Sequence, residues 1–273
     1  MNNPKNPRWI EALEDYCSEF NIPKEKLAQI LQDPKVNPMI RGKGFEYSSL
    51  LFLQENLNSV IYEVSKPNMN AQSMQHDVDI LVKHKPSGVT ISIECKLSGK
   101  GSFKKSKDGL YYSTVKCMRS RTLGEELIKQ RAPQIGVTVP QLRAHKDSYL
   151  YTDFDLVFSS FANAFYTTDK NSGAYVWNPS EDQITFLKKL LNEDESQLQK
   201  ATFNYILIAK ASDVAPIGGY SECTRRDCKR QKVCPFVPNY PVVNFEATTN
   251  FPIEPWYPIH KIDELLEEIL SKK

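Results

Sequence analysis

Residues 77 to 96, Asp77-Val-Asp-Ile-Leu-Val-Lys-His-Lys-Pro-Ser-Gly-Val-Thr-Ile-Ser-Ile-Glu-Cys-Lys96, constrain this chain more than any other stretch. Two runs rich in β-branched residues flank a Pro-Ser-Gly break, the pattern of a β-hairpin. Side chains alternate faces along a strand, so Val78, Ile80 and Val82 form one apolar row and Ile91, Ile93 and Cys95 another. Setting both rows against one core fixes the register, because a one-residue slip would turn one of them to solvent. That register predicts Ile80 opposite Ile93 and Val78 opposite Cys95. On the other face it sets Asp79 against Glu94 and Asp77 against Lys96.

Two carboxylates facing each other across a strand pair repel, and such pairs normally destabilise a hairpin. A divalent cation between them removes the conflict, since Mg²⁺ takes hard oxygen ligands. Lys96 points to the same side, within reach of a phosphate oxygen or an attacking water. The alternative is a charged outer strand face that carries a chance Glu-x-Lys.

Asp79, the apolar strands, the hairpin and Ile-Glu-Cys-Lys96 together resemble the PD-(D/E)XK nuclease core of restriction endonucleases and related enzymes. Val78 stands where that family usually has proline. The resemblance covers roughly residues 42 to 131. It implies an α/β (α+β) fold with a restriction-endonuclease-like core, a central mixed β-sheet flanked by helices, with DNA-recognition segments added. It further implies that Asp79 and Glu94 bind Mg²⁺ and that Lys96 assists phosphodiester hydrolysis.

The helix before such a hairpin often supplies a further glutamate in that family. Here Gly42-Lys-Gly44 breaks the chain, and Glu46, Leu50, Leu53 and Leu57 then recur on one helical stripe. A carboxylate heading a leucine stripe needs a partner on the core side. Glu46 is therefore a candidate metal ligand, or else a first-turn glutamate favoured by the helix dipole.

With 273 residues the chain is one large domain or two small ones. Its segments read as a helical preface (1–41), the nuclease core (42–131), and a remainder (132–273) that completes the sheet and adds recognition elements. The preface holds helices over 7–20 and about 24–32. Farther on, residues 156–166 and 173–177 read as strands, a capping box marks Ser180 and Gln183, and 205–209 reads as a buried strand. Residues 262–270 form an amphipathic helix that packs within the chain or across a dimer.

The formal charge is only +2, so nucleic-acid binding must come from local patches. Lys100, Lys104, Lys105 and Lys107 make a basic loop after the hairpin, either a phosphate-contacting flap or a solvated loop. Arg119 and Arg121 head a helix running to Arg131, which lies on DNA or is a salt-bridged surface helix. The densest patch is Arg225, Arg226, Lys229, Arg230 and Lys232.

That patch interleaves with Cys223, Cys228 and Cys234, three thiols within twelve residues. Zinc takes four ligands, commonly with a C-x2-C pair, and this trio meets neither condition. Cys17, Cys117 or His260 is a candidate fourth ligand. The trio is also similar to that of iron–sulfur repair and adaptation nucleases, although its first gap is longer. Free thiols in a basic loop are the remaining alternative. Six cysteines in a chain this size do not suggest a disulfide framework, and the sequence has neither a long apolar run nor a leader-like start. A cytoplasmic protein of a bacterial or archaeal cell is expected, with no membrane contact.

The leading expectation is a Mg²⁺-dependent type II restriction enzyme that cuts double-stranded DNA at a short specific sequence, leaving 5′-phosphate and 3′-hydroxyl ends. The bulk beyond the core favours this over junction-resolving relatives. The resemblance implies a homodimer and a cognate methyltransferase in the host. A repair nuclease with an iron–sulfur cluster and a DNA-binding protein with an inactive nuclease fold are the alternatives.

Overall fold

The hairpin forms in the expected register and lies within a six-stranded sheet. A computed structural model describes residues 8–67, 78–229 and 233–273. The chain opens with α1 (Arg8–Glu19), a 3₁₀ turn, α2 (Leu27–Gln32) and α3 (Asn37–Asn56). Strands β1 (Tyr62–Ser65), β2 (Ile80–His84) and β3 (Thr90–Leu97) follow, then β4 (Lys104–Lys105) and β5 (Tyr111–Thr114). Helices α4 (Glu125–Gln134) and α5 (Val139–Ala144) lead to β6 (Leu156–Ser160), β7 (Tyr166–Thr168) and β8 (Tyr175–Trp177). The remaining elements are α6 (Glu181–Leu191), α7 (Leu198–Asn204), β9 (Ile206–Lys210), α8 (Ala211–Val214), β10 (Val242–Asn244), β11 (Tyr257–Pro258) and α9 (Ile262–Leu270).

The main sheet has the order β1-β2-β3-β6-β9-β11. Only β3 and β6 are parallel; the other neighbours are antiparallel, so the sheet is mixed. Ile80 faces Ile93 and Val82 faces Ile91, as the apolar rows require. Those four side chains are fully buried, with Cys95, in a core against α3 and α9. The opposite sheet face carries Val157, Leu207 and Ala209 into a second, aromatic core with Phe103, Phe161, Phe165, Phe186 and Phe245.

Val78 departs from its row. It packs, half-buried, against the aromatic core instead of beside Ile80. The ladder begins at Ile80 and Asp79 is a bend, so face alternation does not extend back to Val78. Asp77 lies outside the described residues.

Helix α3 starts before Gly42, not after Gly44, so the expected boundary at residue 42 falls inside it. Pro38 occupies its first turn. Each helical glycine costs about 1 kcal/mol relative to alanine, and burial of Phe45, Leu50 and Leu53 on the sheet offsets it. The stripe of Glu46, Leu50, Leu53 and Leu57 is buried as expected. The sheet also runs through 42–131 into the later residues, which makes those two segments one layered unit.

Other differences are local. Residues 119–123 are not helical, because Arg119 and Leu123 donate backbone hydrogen bonds to the carbonyls of Asp147 and Lys146; α4 starts only at Glu125. The basic loop contains β4, paired with β5 in a three-stranded sheet that β10 completes. Residues 156–166 divide into β6, a 3₁₀ turn and the start of β7. The Ser180–Gln183 capping box forms, and α9 packs within the chain through Ile262, Leu265, Leu266 and Ile269. Among the described residues no helix is long and apolar enough to cross a membrane.

Candidate active site and a candidate metal cluster

On β3 the alternation that buries Ile91, Ile93 and Cys95 turns Glu94 and Lys96 to the opposite sheet face. Glu94 is 2% exposed and pairs with Lys96 Nζ at 2.5 Å through Oε1. The same oxygen accepts a hydrogen bond from the Tyr149 hydroxyl at 2.9 Å. Asp79, at the bend that opens β2, holds the hairpin's open end: its backbone N–H donates to Ile93 O at 3.1 Å. Its Oδ2 accepts from the Cys95 N–H at 2.9 Å.

Helix α3 brings Glu46 to this end of the hairpin. Glu46 is buried, and its Oε2 receives Lys43 Nζ at 2.7 Å and Lys66 Nζ at 2.8 Å. Lys66 Nζ also lies 3.4 Å from Asp79 O, so one ammonium links α3 to the hairpin.

The electrostatics identify Asp79 as the strained member. Burial first, then the Glu94 and Glu46 carboxylates, raise its pKa to about 7, against the Cys95 N–H and Lys96, which lower it. Burial alone would raise Glu46 too, but Lys43 and Lys66 hold it below the usual carboxylate range. Burial alone would depress Lys96, but Glu94 and Tyr149 hold its ammonium well above the ordinary lysine value. Glu94 and Glu46 are both near enough to act on Asp79 electrostatically, with Lys66 and Lys96 supplying positive charge against the three carboxylates. Carboxylate oxygens are the chemical kind of ligand that Mg²⁺ takes; among the described residues, the group whose ligand atoms come together closely enough for a metal ion is the cluster of His145 with Cys223, Cys228 and Cys234.

Sequence reading missed two members, Lys66 and Tyr149. Lys66 was hidden because its partner, Glu46, lies twenty residues upstream on another element. Tyr149 stands 55 residues beyond Glu94 in a stretch without a motif.

The basic candidates fall into two groups. Arg119 is tied down: its Nε donates to Ser148 O at 3.0 Å, its guanidinium pairs with Asp153, and it lies 5.2 Å from the centre of the Tyr149 ring. Arg225 pairs with Asp147. Lys100 is exposed and bonded to Thr168, whereas Lys104, Lys105, Arg121, Arg226 and Lys229 are exposed on the surface. Arg230 and Lys232 lie outside the described residues.

The three late cysteines are buried, not exposed in a loop, and none is in a disulfide. With His145 they form a group whose ligand atoms all lie within 4.8 Å of one another, which can hold a metal ion. His145 replaces the expected fourth ligands. Cys17 is on α1, Cys117 is buried near Lys96 and Glu94, and His260 lies just before α9. Burial, then Arg225, pushes His145 down to about 4, which leaves a neutral imidazole at physiological pH.

A cavity of about 480 Å³ lies away from the carboxylates, lined by residues including Gln141, Leu150, Tyr151 and Val233. No carboxylate, lysine or histidine lines it, so it is not the chemical centre. Comparison with protein-family models, with curated proteins and with solved structures gives no match.

Proposed function

We propose that the protein is a Mg²⁺-dependent endonuclease of the PD-(D/E)XK type, acting on double-stranded DNA as a type II restriction enzyme. The observation that carries this reading is the convergence of Glu46, Asp79, Glu94 and Lys96. A helix and a hairpin, with no sequence proximity between them, bring the buried Glu46 and Glu94, the partly exposed Asp79 and a lysine toward one end of a mixed sheet. Perturbed carboxylates gather at functional sites as well as in structural ion-pair networks, and the raised pKa of Asp79 supports the first reading.

Asp79, Glu94 and Glu46 would hold the cation; when bound, it would lower the pKa of a coordinated water and neutralise charge on the phosphate. Lys96, buried against Glu94, is placed to stabilise the negative charge that develops on the scissile phosphate or to orient the attacking water. Tyr149 fixes the Glu94 rotamer through its hydroxyl. Lys66 neutralises Glu46 and ties it to the hairpin. In-line attack on phosphorus would leave 5′-phosphate and 3′-hydroxyl ends.

The exposed Lys100, Lys104, Lys105, Arg121, Arg226 and Lys229 suit contact with the DNA backbone. A homodimer with one such site per strand suits a palindromic target, and a cognate methyltransferase would protect the host. The test is direct: incubate the protein with plasmid and Mg²⁺, then sequence the ends. Discrete cuts at one short sequence are expected, and intact plasmid across varied substrates would overturn the proposal.

A further inference from the structure

Helices α4 and α5, with the loop that carries the three cysteines, enclose a small core separate from both faces of the main sheet. Among the described residues its fully buried members are Ile128, Ala132, Leu142, Phe236 and the three cysteines. A core with so few buried apolar side chains contributes little burial of its own, so a cross-link or metal within it would add fixed geometry. The thiols form no disulfide. They surround one imidazole nitrogen instead: Cys223 Sγ and Cys234 Sγ each lie 3.5 Å from His145 Nε2, and Cys228 Sγ lies 4.0 Å from Cys234 Sγ.

Those separations fit a single tetrahedral ion such as zinc. Zinc binds sulfur at about 2.3 Å and imidazole nitrogen at about 2.0–2.1 Å in a tetrahedron, whose edges are then about 3.8 Å for S···S and about 3.5 Å for S···N. An iron–sulfur cube must fit several irons and sulfides among its ligands, and it is usually held by four thiolates. Atoms all within 4.8 Å of one another leave room for a single ion.

The surroundings of His145 support a ligand role. Its Nδ1 lies 3.3 Å from Ser148 Oγ, which in turn donates to Asn239 Oδ1 at 2.7 Å. Nδ1–H can therefore donate to the hydroxyl, which leaves the Nε2 lone pair facing the sulfurs. Outer hydrogen bonds of this kind fix the tautomer of metal-binding histidines. Phe236 stacks on the ring at 4.3 Å, nearly parallel, and sets its plane.

We propose that His145, Cys223, Cys228 and Cys234 bind one zinc ion, which fastens the cysteine loop to the segment that carries Tyr149. On binding, the three thiols release their protons to solvent. The fastening is short on both sides. Four residues after His145, the Tyr149 carbonyl accepts from Val237 N at 2.8 Å, and Tyr151 N donates to Pro235 O at 2.9 Å. Cys234 directly precedes that paired stretch. The ion thus closes a ring whose far side is Tyr149, and Tyr149 reaches Glu94 through its hydroxyl. The zinc assignment stands without the nuclease reading; only the bearing on Glu94 as a metal ligand rests on it.

The test uses the whole chain without DNA. Elemental analysis of purified protein should give one zinc per chain, and Co²⁺ exchanged into the site should show the visible bands of a tetrahedral sulfur-rich centre. Cys228→Ser and His145→Asn should each lose the metal, whereas Cys117→Ser should keep it. If a ligand variant fails to fold, the Co²⁺ spectrum of the unaltered chain still decides the point. Absence of stoichiometric zinc together with no tetrahedral Co²⁺ spectrum would overturn the site, as would bound iron with a brown colour. Amide exchange tests the fastening. Removing zinc with a chelator should expose the Val237 and Tyr151 amides while those of the β2–β3 hairpin stay protected. Unchanged protection at Val237 and Tyr151 would refute it. Metal content and exchange are read without cleavage, so their failure is distinct from absence of nuclease activity.

Discussion

The Tyr149 hydroxyl donates to Glu94 Oε1 at 2.9 Å, on the same oxygen that pairs with Lys96. This contact joins the small cysteine-rich unit to the carboxylate cluster, because Tyr149 belongs to the strand-like segment paired with residues 235–237. A tyrosine here does what a phenylalanine cannot: it holds a buried carboxylate in one rotamer.

Tyr149→Phe should therefore remove one hydrogen bond to a charged acceptor and keep the ring's packing. Expected losses are about 1–2 kcal/mol of stability and roughly tenfold in cleavage rate, with DNA affinity unchanged. Equal stability and equal rate would show that the Tyr149 hydroxyl does not position Glu94.

On the proposed nuclease reading, Asp79→Ala or Glu94→Ala should abolish Mg²⁺-dependent cleavage while sparing DNA binding, since these carboxylates would act on the metal. Lys96→Ala should cost roughly a hundredfold, the scale for losing one electrostatic stabiliser. Glu46→Gln should also cause a large loss if Glu46 is a ligand, and a loss of only a few-fold if it serves to neutralise Lys66. Wild-type cleavage by Asp79→Ala in Mg²⁺ would remove the carboxylate cluster as the active site.

The basic patch divides under the same logic. Arg226→Glu with Lys229→Glu should weaken DNA binding and flatten its salt dependence by about one unit of slope per lost phosphate contact. Arg225→Ala should instead lower thermal stability, because it removes the cation paired with Asp147 and leaves that carboxylate the hydrogen bond from Asn239. A salt slope that changes only with Arg225 would reverse these assignments.

The hairpin was legible because period-two alternation and a Pro-Ser-Gly turn are local signals, and Ile80 faces Ile93 as they require. Glu46 was legible for a similar reason, since its stripe repeats at helical spacing. The pairings that complete each site were not. Lys66 meets Glu46, and His145 meets Cys223 across 78 residues, through the tertiary arrangement alone. The glycines at 42 and 44 misled in the opposite direction: their local cost is real, but packing of the following stripe carries the helix through them. Arg119 likewise has the composition of a DNA contact, yet backbone pairing with Asp147 and the ion pair with Asp153 draw it inward.

The pKa of Asp79 makes the last prediction. Its folded value is raised from 3.8 to about 7 by burial and by Glu94 and Glu46. Between those values the native chain holds a proton that the unfolded chain has released. Stability from this group is therefore fully present below about pH 4 and is lost as pH rises through about 7. Metal-free protein should melt at a lower temperature at pH 8 than at pH 6. Asp79→Asn, which keeps an oxygen for the Cys95 N–H, should flatten that dependence and raise the melting temperature at pH 8. A divalent cation competes with the same proton, so Mg²⁺, or Ca²⁺ as a non-cleaving probe, should stabilise the unaltered protein more at pH 8 than at pH 6. It should stabilise Asp79→Asn little at either. Differential scanning fluorimetry across pH, with and without the cation, measures all four conditions. A pH-independent melting temperature with no response to either cation would mean that the carboxylates neither share a charge problem nor bind a metal.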